Sequence, residues 1–315
     1  MKIIFMGTPD FAVRTLSRLC EAGHDVCTVI TQPDRPHGRK LTVTAGPVAA
    51  EALRRGIPLL QPARIRGNEE VIAQIRGLAP DAIVVASFGQ IIPQEILDIP
   101  KYGCFNVHAS LLPAYRGAAP IQRALLDGCE KTGVTIMRMD AGLDTGDMAA
   151  VREVPISKDE TALSLFEKLA AAGAELMAET LPLIESGEAV YTPQPKESTT
   201  PYAAMIRKEE GRIDWTKSAG EIERAVRALD PWPTAWTTLD GKTLKLWKAH
   251  VEKEGLAAEE GKCGCIVRQD AQGIYVQTGS GILVADELQI EGRRRMKTGD
   301  FLRGYVIRNP YLGQS

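Results

Sequence analysis

The feature that most constrains this chain is a rhythm in its first half, where short apolar runs alternate with helix-compatible stretches. Lys2-Ile3-Ile4-Phe5-Met6 is an apolar run that closes on Gly7. Thr8 and Pro9 then suit an N-cap and a first helical position. Further β-like runs fall at 26–31, 82–86, 104–108 and 134–139, with helix-compatible stretches at 48–55, 69–78 and 121–126. Such alternation predicts an α/β fold with a mostly parallel sheet and helices on both faces. Ligands of sheets of this kind gather beyond the carboxyl ends of the strands.

Residues 157–188 are rich in Ala, Leu and Glu and predict a long helix that closes this part of the chain. Composition then shifts: 189–195 and 197–201 are rich in proline and hydroxyl residues, as in an extended linker. One helical stretch follows at 218–229, and then short runs at 243–250, 264–267, 273–278 and 281–285 separated by turn residues. That spacing predicts a small β-barrel or sandwich. At 315 residues the chain exceeds what a single core usually organises. The expected organisation is a Rossmann-like domain over 1–189, a linker over 190–207 and a smaller OB-like β-barrel domain over 208–315.

The net charge of −2 offers no bulk attraction to nucleic acid, so a polyanionic partner must be met by a local basic cluster. With 44% apolar and 25% charged residues, the composition excludes disordered, collagen-like and disulfide-dense classes. No apolar run approaches the about eighteen residues of a membrane span, and the opening residues are too short and too weakly charged for a secretory signal. A cytoplasmic protein without membrane association is expected. Of the six cysteines, Cys263 and Cys265 lack the two-residue spacer of zinc and thioredoxin motifs, and most of the others lie in apolar stretches. Buried, reduced thiols are expected.

Several catalytic signatures are incomplete. Gly7-Thr8-Pro9-Asp10-Phe11-Ala12 lacks the second and third glycines of a dinucleotide fingerprint. No segment matches a phosphate-cradling G-x-x-x-x-G-K-[ST] loop. Asp144-Thr145-Gly146 resembles an aspartic protease loop, but one copy supplies only half of a carboxylate pair. The segment Asn106-Val107-His108-Ala109-Ser110-Leu111-Leu112-Pro113 is more informative. Residues two apart in a strand share a face, which puts an amide donor beside an imidazole at a strand end. The amide suits a developing oxyanion and the imidazole suits proton movement. A satisfied strand-end histidine beside a turn asparagine is the plainer alternative. Asp140-Ala141-Gly142-Leu143-Asp144-Thr145-Gly146-Asp147 follows the 134–139 run and places three carboxylates in eight residues. One of these could orient His108 and stabilise its protonated form. A solvated Asp/Gly turn or a carboxylate cation site are the alternatives, and nothing nearby resembles a transition-metal cluster.

These blocks, with Arg116-Gly117-Ala118-Ala119-Pro120 and Thr132-Gly133-Val134-Thr135-Ile136-Met137, resemble the formyltransferases that use 10-formyltetrahydrofolate. The likeness continues through Lys208-Glu209-Glu210-Gly211-Arg212-Ile213-Asp214-Trp215 and Arg227-Ala228-Leu229-Asp230-Pro231-Trp232-Pro233, so it runs nearly end to end. It implies a catalytic trio of Asn106, His108 and Asp144, with Ser110, Leu111, Leu112 and Pro113 lining the folate site and no metal. It also implies the branch whose acceptor is the α-amino group of initiator methionyl-tRNA, acting as a monomer in translation initiation.

Two basic segments bear on that acceptor. Arg35, Arg39 and Lys40 lie in a Pro- and Gly-containing stretch after the second strand run, and could meet phosphates from a loop above the site. Residues 291–308 carry six basic and two acidic side chains, including Arg293, Arg294, Arg295 and Lys297. Such a cluster suits a polyanion backbone, and a solubilising face is the alternative. Other readings are a formyltransferase acting on a sugar-nucleotide amine, a ribonucleotide formyltransferase of purine synthesis, and a non-catalytic RNA-binding protein on an old transferase fold.

Overall fold

The computed structural model describes residues 1–34, 36–37, 42–252 and 262–313. The chain forms two compact units. One comprises Met1–Pro120, Lys131–Ile156 and Phe166–Ala203, and the other Ile121–Glu130, Ser157–Leu165 and Ala204–Ser315.

Along the chain come β1 (Lys2–Gly7), α1 (Asp10–Glu21), β2 (Asp25–Ile30), the two-residue strands β3 (Pro36–His37) and β4 (Thr42–Val43), α2 (Pro47–Arg55) and β5 (Leu59–Leu60). Then follow α3 (Glu69–Leu78), β6 (Ala82–Ala86), α4 (Gln94–Leu97), β7 (Cys104–His108), α5 (Pro120–Leu126), β8 (Lys131–Arg138), β9 (Met148–Pro155) and α6 (Ala162–Ser186). The first unit holds a seven-stranded sheet ordered β5-β2-β1-β6-β7-β8-β9. Its pairs are parallel from β5 to β7 and antiparallel from β7 to β9. This is the mostly parallel, Rossmann-like sheet that the alternation predicted. The chain lays strands to one side of β1 and then to the other, which puts the switch point between β1 and β6.

The run Ile3-Ile4-Phe5-Met6 is fully buried because β1 is covered on both faces. Burying Phe5 alone contributes about 2 kcal/mol. One face carries a core of Ile4, Met6, Ile30, Ile72, Ile75, Ile83 and Val85. The turn after β1 differs from expectation. Pro9, not Thr8, is the N-cap of α1, and the Thr8 hydroxyl donates to the Phe88 carbonyl at 3.0 Å. Thr8 therefore ties β1 to the turn after β6 instead of closing a helix.

The long helix α6 starts later than the composition implied, because Thr161, just before it, and Ser164, in its first turn, exchange capping bonds. It ends before Gly187, which takes φ +78°. Within it, a Cβ on Gly173 would lie 2.6 Å from Val107 Cγ1. Only glycine lets α6 come this close to β7. Val107 therefore points toward α6, and by strand alternation Asn106 and His108 occupy the opposite face. Strand β9 was not legible in the sequence: it is an edge strand whose Arg152 and Glu153 interrupt any apolar run.

The second unit adds a 3₁₀ turn at Lys208–Gly211, then α7 (Ala219–Ala228), β10 (Ala235–Leu239), β11 (Lys242–Val251), β12 (Ile266–Gln269), β13 (Ile274–Gln277), β14 (Ile282–Ile290), β15 (Met296–Lys297) and α8 (Thr298–Arg303). Its antiparallel sheet runs β10-β11-β14-β13-β12, with β15 on β14, and makes the small barrel-like domain expected from the short runs. Ser218 and Glu221 form the capping box of α7. Ile222, Val226, Leu244, Leu246, Val276, Leu283, Leu288 and Phe301 make the core. Trp215 joins them with its indole N–H satisfied by Thr237 Oγ1 at 3.1 Å.

Candidate active site

The end of β7 assembles the site. Asn106 pairs through its backbone with Val85 on one side and Met137 on the other, and its side chain is half-buried. His108, two residues on, is 6% exposed. Its Nε2 lies 3.0 Å from the Tyr115 carbonyl. A carbonyl only accepts, so Nε2 carries a proton and Nδ1 is the nitrogen left to exchange one. Nδ1 lies 3.7 Å from Asp144 Oδ1, within ion-pair range but beyond a direct hydrogen bond. Asp144 Oδ2 accepts from the Gly117 N–H at 2.9 Å. His108 and Asp144 thus meet, with Asn106 on the same strand face as the imidazole.

They meet for a different reason from the one the sequence suggested. Because β8 is antiparallel to β7, with His108 opposite Thr135 and Phe105 opposite Arg138, the 140–147 loop leaves the sheet beside the start of β7. It reaches His108 only by folding back. Gly146 permits that fold, since a Cβ there would sit against the Arg138 carbonyl. Asp140 Oδ1 accepts from Gly142 N and Thr145 Oγ1, so this carboxylate shapes the loop. Asp144 itself takes φ +55°, a left-handed conformation that few residues other than glycine adopt.

The segment 110–113 divides in two. Leu111 and Pro113 are half-buried. Ser110 is fully buried and its hydroxyl donates to the Ala114 carbonyl at 2.6 Å, while Leu112 is 6% exposed. Ser110 and Leu112 thus shape the loop, with Leu111 and Pro113 as its more exposed members. Thr135, which sequence reasoning missed as an anchor, donates to the Ser110 carbonyl and accepts from Leu112 N.

The proline- and hydroxyl-rich segment also proves to be part of this unit. Ser198 Oγ donates to the Pro113 carbonyl at 2.6 Å, and Thr200 Oγ1 accepts from Tyr115 N at 2.6 Å. Gln194 reaches both Arg116 and the 140–147 loop. Composition showed an irregular segment but could not show what it bonds to.

The model of the formyl transferase family matches residues 1–181, and that of the formyl transferase C-terminal domain matches 205–306. The chain belongs to the formyl transferase family. A relative named methionyl-tRNA formyltransferase, from Agathobacter rectalis, is 53% identical over 304 residues, covering 96% of each chain. Another of that name, from Geobacter sulfurreducens, is 51% identical over 307 residues, covering 98% of this chain and 95% of its own. Among solved structures, an N-formyltransferase from Helicobacter canadensis in complex with folinic acid and dTDP-3-aminofucose has a TM-score of 0.68 at 19% identity. It covers 90% of this chain and 98% of that one.

As a formyl transferase, this chain presents in one place an amide donor, an imidazole with one free nitrogen and a carboxylate gripped by a backbone N–H. That set can stabilise an oxyanion and carry a proton. In the second unit, Arg293, Arg294, Arg295 and Lys297 are exposed. Arg295 is bonded to Glu287 at 2.6 Å and lies over the Trp247 ring at 4.9 Å. Arg35, Arg39 and Lys40 lie outside the described residues. Among the described residues, no helix is long and apolar enough to cross a membrane.

Proposed function

We propose that this protein transfers the formyl group of 10-formyltetrahydrofolate to the α-amino group of initiator methionyl-tRNA, in the cytoplasm and as a monomer. Near-full-length identity above 50% to enzymes named methionyl-tRNA formyltransferase is the observation that carries this reading. The geometry supplies a mechanism. The free amine of the acceptor attacks the formyl carbon, a new C–N bond forms, and the carbonyl oxygen gains negative charge. Asn106 donates to that oxygen. The C–N10 bond then breaks, the amine loses a proton and N10 gains one. His108 Nδ1 is the group that moves this proton, because Nε2 is engaged by Tyr115. Asp144 stabilises the imidazolium formed in passing.

Residues 1–189 would then carry the chemistry and 208–315 the tRNA contact, joined through 190–207. Ser110, Leu111, Leu112 and Pro113 would line the folate site, and Arg35, Arg39, Lys40, Arg293, Arg294, Arg295 and Lys297 would meet the phosphate backbone. The folate-bound Helicobacter canadensis structure supports a folate donor through a shared fold. The test is to incubate the purified protein with 10-formyltetrahydrofolate and either charged initiator tRNA or an amino-sugar nucleotide. Formylmethionyl-tRNA is expected in the first reaction and no formylated sugar in the second. The reverse outcome overturns the acceptor, and no product in either overturns the activity.

A further inference from the structure

One side-chain amide links two loops of the site. Gln194 Oε1 accepts from Arg116 Nε at 3.1 Å and from Nη2 at 2.8 Å. Its Nε2 donates to the Asp144 carbonyl at 3.0 Å and to the Gly146 carbonyl at 2.7 Å. An amide has an acceptor at one end and donors at the other, so a single orientation satisfies all four contacts. Turned over, it would set NH₂ against a guanidinium and oxygen against two carbonyls. The support behind it is equally fixed: Arg116 is 8% exposed and also donates to the carbonyls of Pro195 and Lys196.

The consequence falls on Asp144, whose left-handed backbone needs outside restraint. Gly117 N–H holds its carboxylate, and Gln194 holds its main chain. Arg116 and Gly117 are consecutive, so one short stretch of chain grips Asp144 twice, once directly and once through Gln194.

We infer that Gln194 is a positioning residue for formyl transfer: backed by Arg116, it holds the 140–147 loop so that the Asp144 carboxylate faces the His108 imidazole. This rests on the reading of His108 and Asp144 as the proton-handling pair. Gln194 bonds the Asp144 main chain, not the carboxylate, and so acts through Asp144 instead of on substrate.

Gln194→Glu is a sharp test. One carboxylate oxygen keeps Arg116 as a partner, while the other faces two carbonyl oxygens and repels the loop. In the full-length protein kcat is expected to fall about tenfold or more, the scale of effect of a small misplacement at a reacting centre. KM for both substrates and the melting temperature should stay near the wild-type values. In an Asp144→Asn background the same change should add little, because the group it positions is already disabled. Gln194→Met, which removes the bonds without repulsion, should fall between wild type and Gln194→Glu.

Wild type and Asp144→Asn judge the underlying reading separately: absence of product from the first, or wild-type kcat in the second, defeats that reading. With both as expected, the positioning role is overturned by any of three results. These are an unchanged kcat in Gln194→Glu, a loss that matches a fall in folded fraction, or a loss that adds in full to that of Asp144→Asn.

Discussion

At the end of β7 the polar groups are held in place, with buried His108 between the Tyr115 carbonyl and half-buried Asp144, and Asp144 held by Gly117. In the 293–297 stretch of the second unit, by contrast, Arg293, Arg294, Arg295 and Lys297 stand exposed. Under the proposed function, the contrast matches what each region would do. Charge that develops on one oxygen for the life of a transition state is stabilised by groups set in advance and shielded from water. A polyanion backbone carries its charge permanently, and exposed cations meet it without fixed geometry.

The largest expected effect tests the first half of that contrast. Asn106→Ala and His108→Ala should each lower kcat by about a hundredfold or more, as for loss of an oxyanion donor or a proton shuttle. Melting curves should show the fold intact, and near-normal turnover in His108→Ala would sink the assignment. The Gln194→Glu loss should be the next largest.

Changing Arg293, Arg294 and Arg295 together to Ala probes the second half. It should leave kcat unaltered, weaken tRNA binding and lower the salt dependence of log K by about one for each phosphate that is no longer neutralised. Arg294→Ala should account for more of this than Arg295→Ala, since Arg295 is already paired with Glu287. An unchanged salt slope means that the tRNA backbone is met elsewhere.

Smaller effects distinguish commitment from exposure elsewhere in the first unit. Bonds from Arg54, Arg55 and Ser17 hold the Glu51 carboxyl at about 2, against the opposing effect of its partial burial. A depressed carboxyl contributes stability above its ordinary range, and that contribution is lost as pH falls toward 2. Glu51→Gln should therefore cost about 1 kcal/mol near neutral pH, after allowance for solvent screening, and nothing in strong acid. Denaturant melts of both proteins at several pH values would measure the difference. Least visible is Cys104, at the other end of β7 from His108. Burial pushes its thiol up to about 12, so it should resist alkylation until the protein unfolds. Rapid labelling of native protein at this residue, read by mass spectrometry, would contradict the burial.

Much of the sheet was legible. The runs at 82–86 and 104–108 match β6 and β7: β6, covered on both faces, is unbroken apolar sequence, and in β7 only Asn106 and His108, on one face, interrupt it. Strand β9 escaped because an exposed edge relaxes that demand. The trio Asn106, His108 and Asp144 was nameable from strand parity and family resemblance, yet the route that joins its members was not. Thr135 and Arg116 stood in the blocks that carry the resemblance, but their roles, like that of Gln194, gave no local signal, since each acts through a bond to a main-chain group or an amide remote in sequence.

The sequence alone determined what is written in local periodicity and residue chemistry: an α/β part, a later β-rich part, an amide two residues before an imidazole, and a cluster of arginines. Only the tertiary structure decided that β8 runs antiparallel, that the 140–147 loop folds back, and that the 194–200 segment locks both loops of the site. The physical reason is that periodicity reports which face of an element is buried. It carries no record of strand direction or of hydrogen bonds between groups dozens of residues apart.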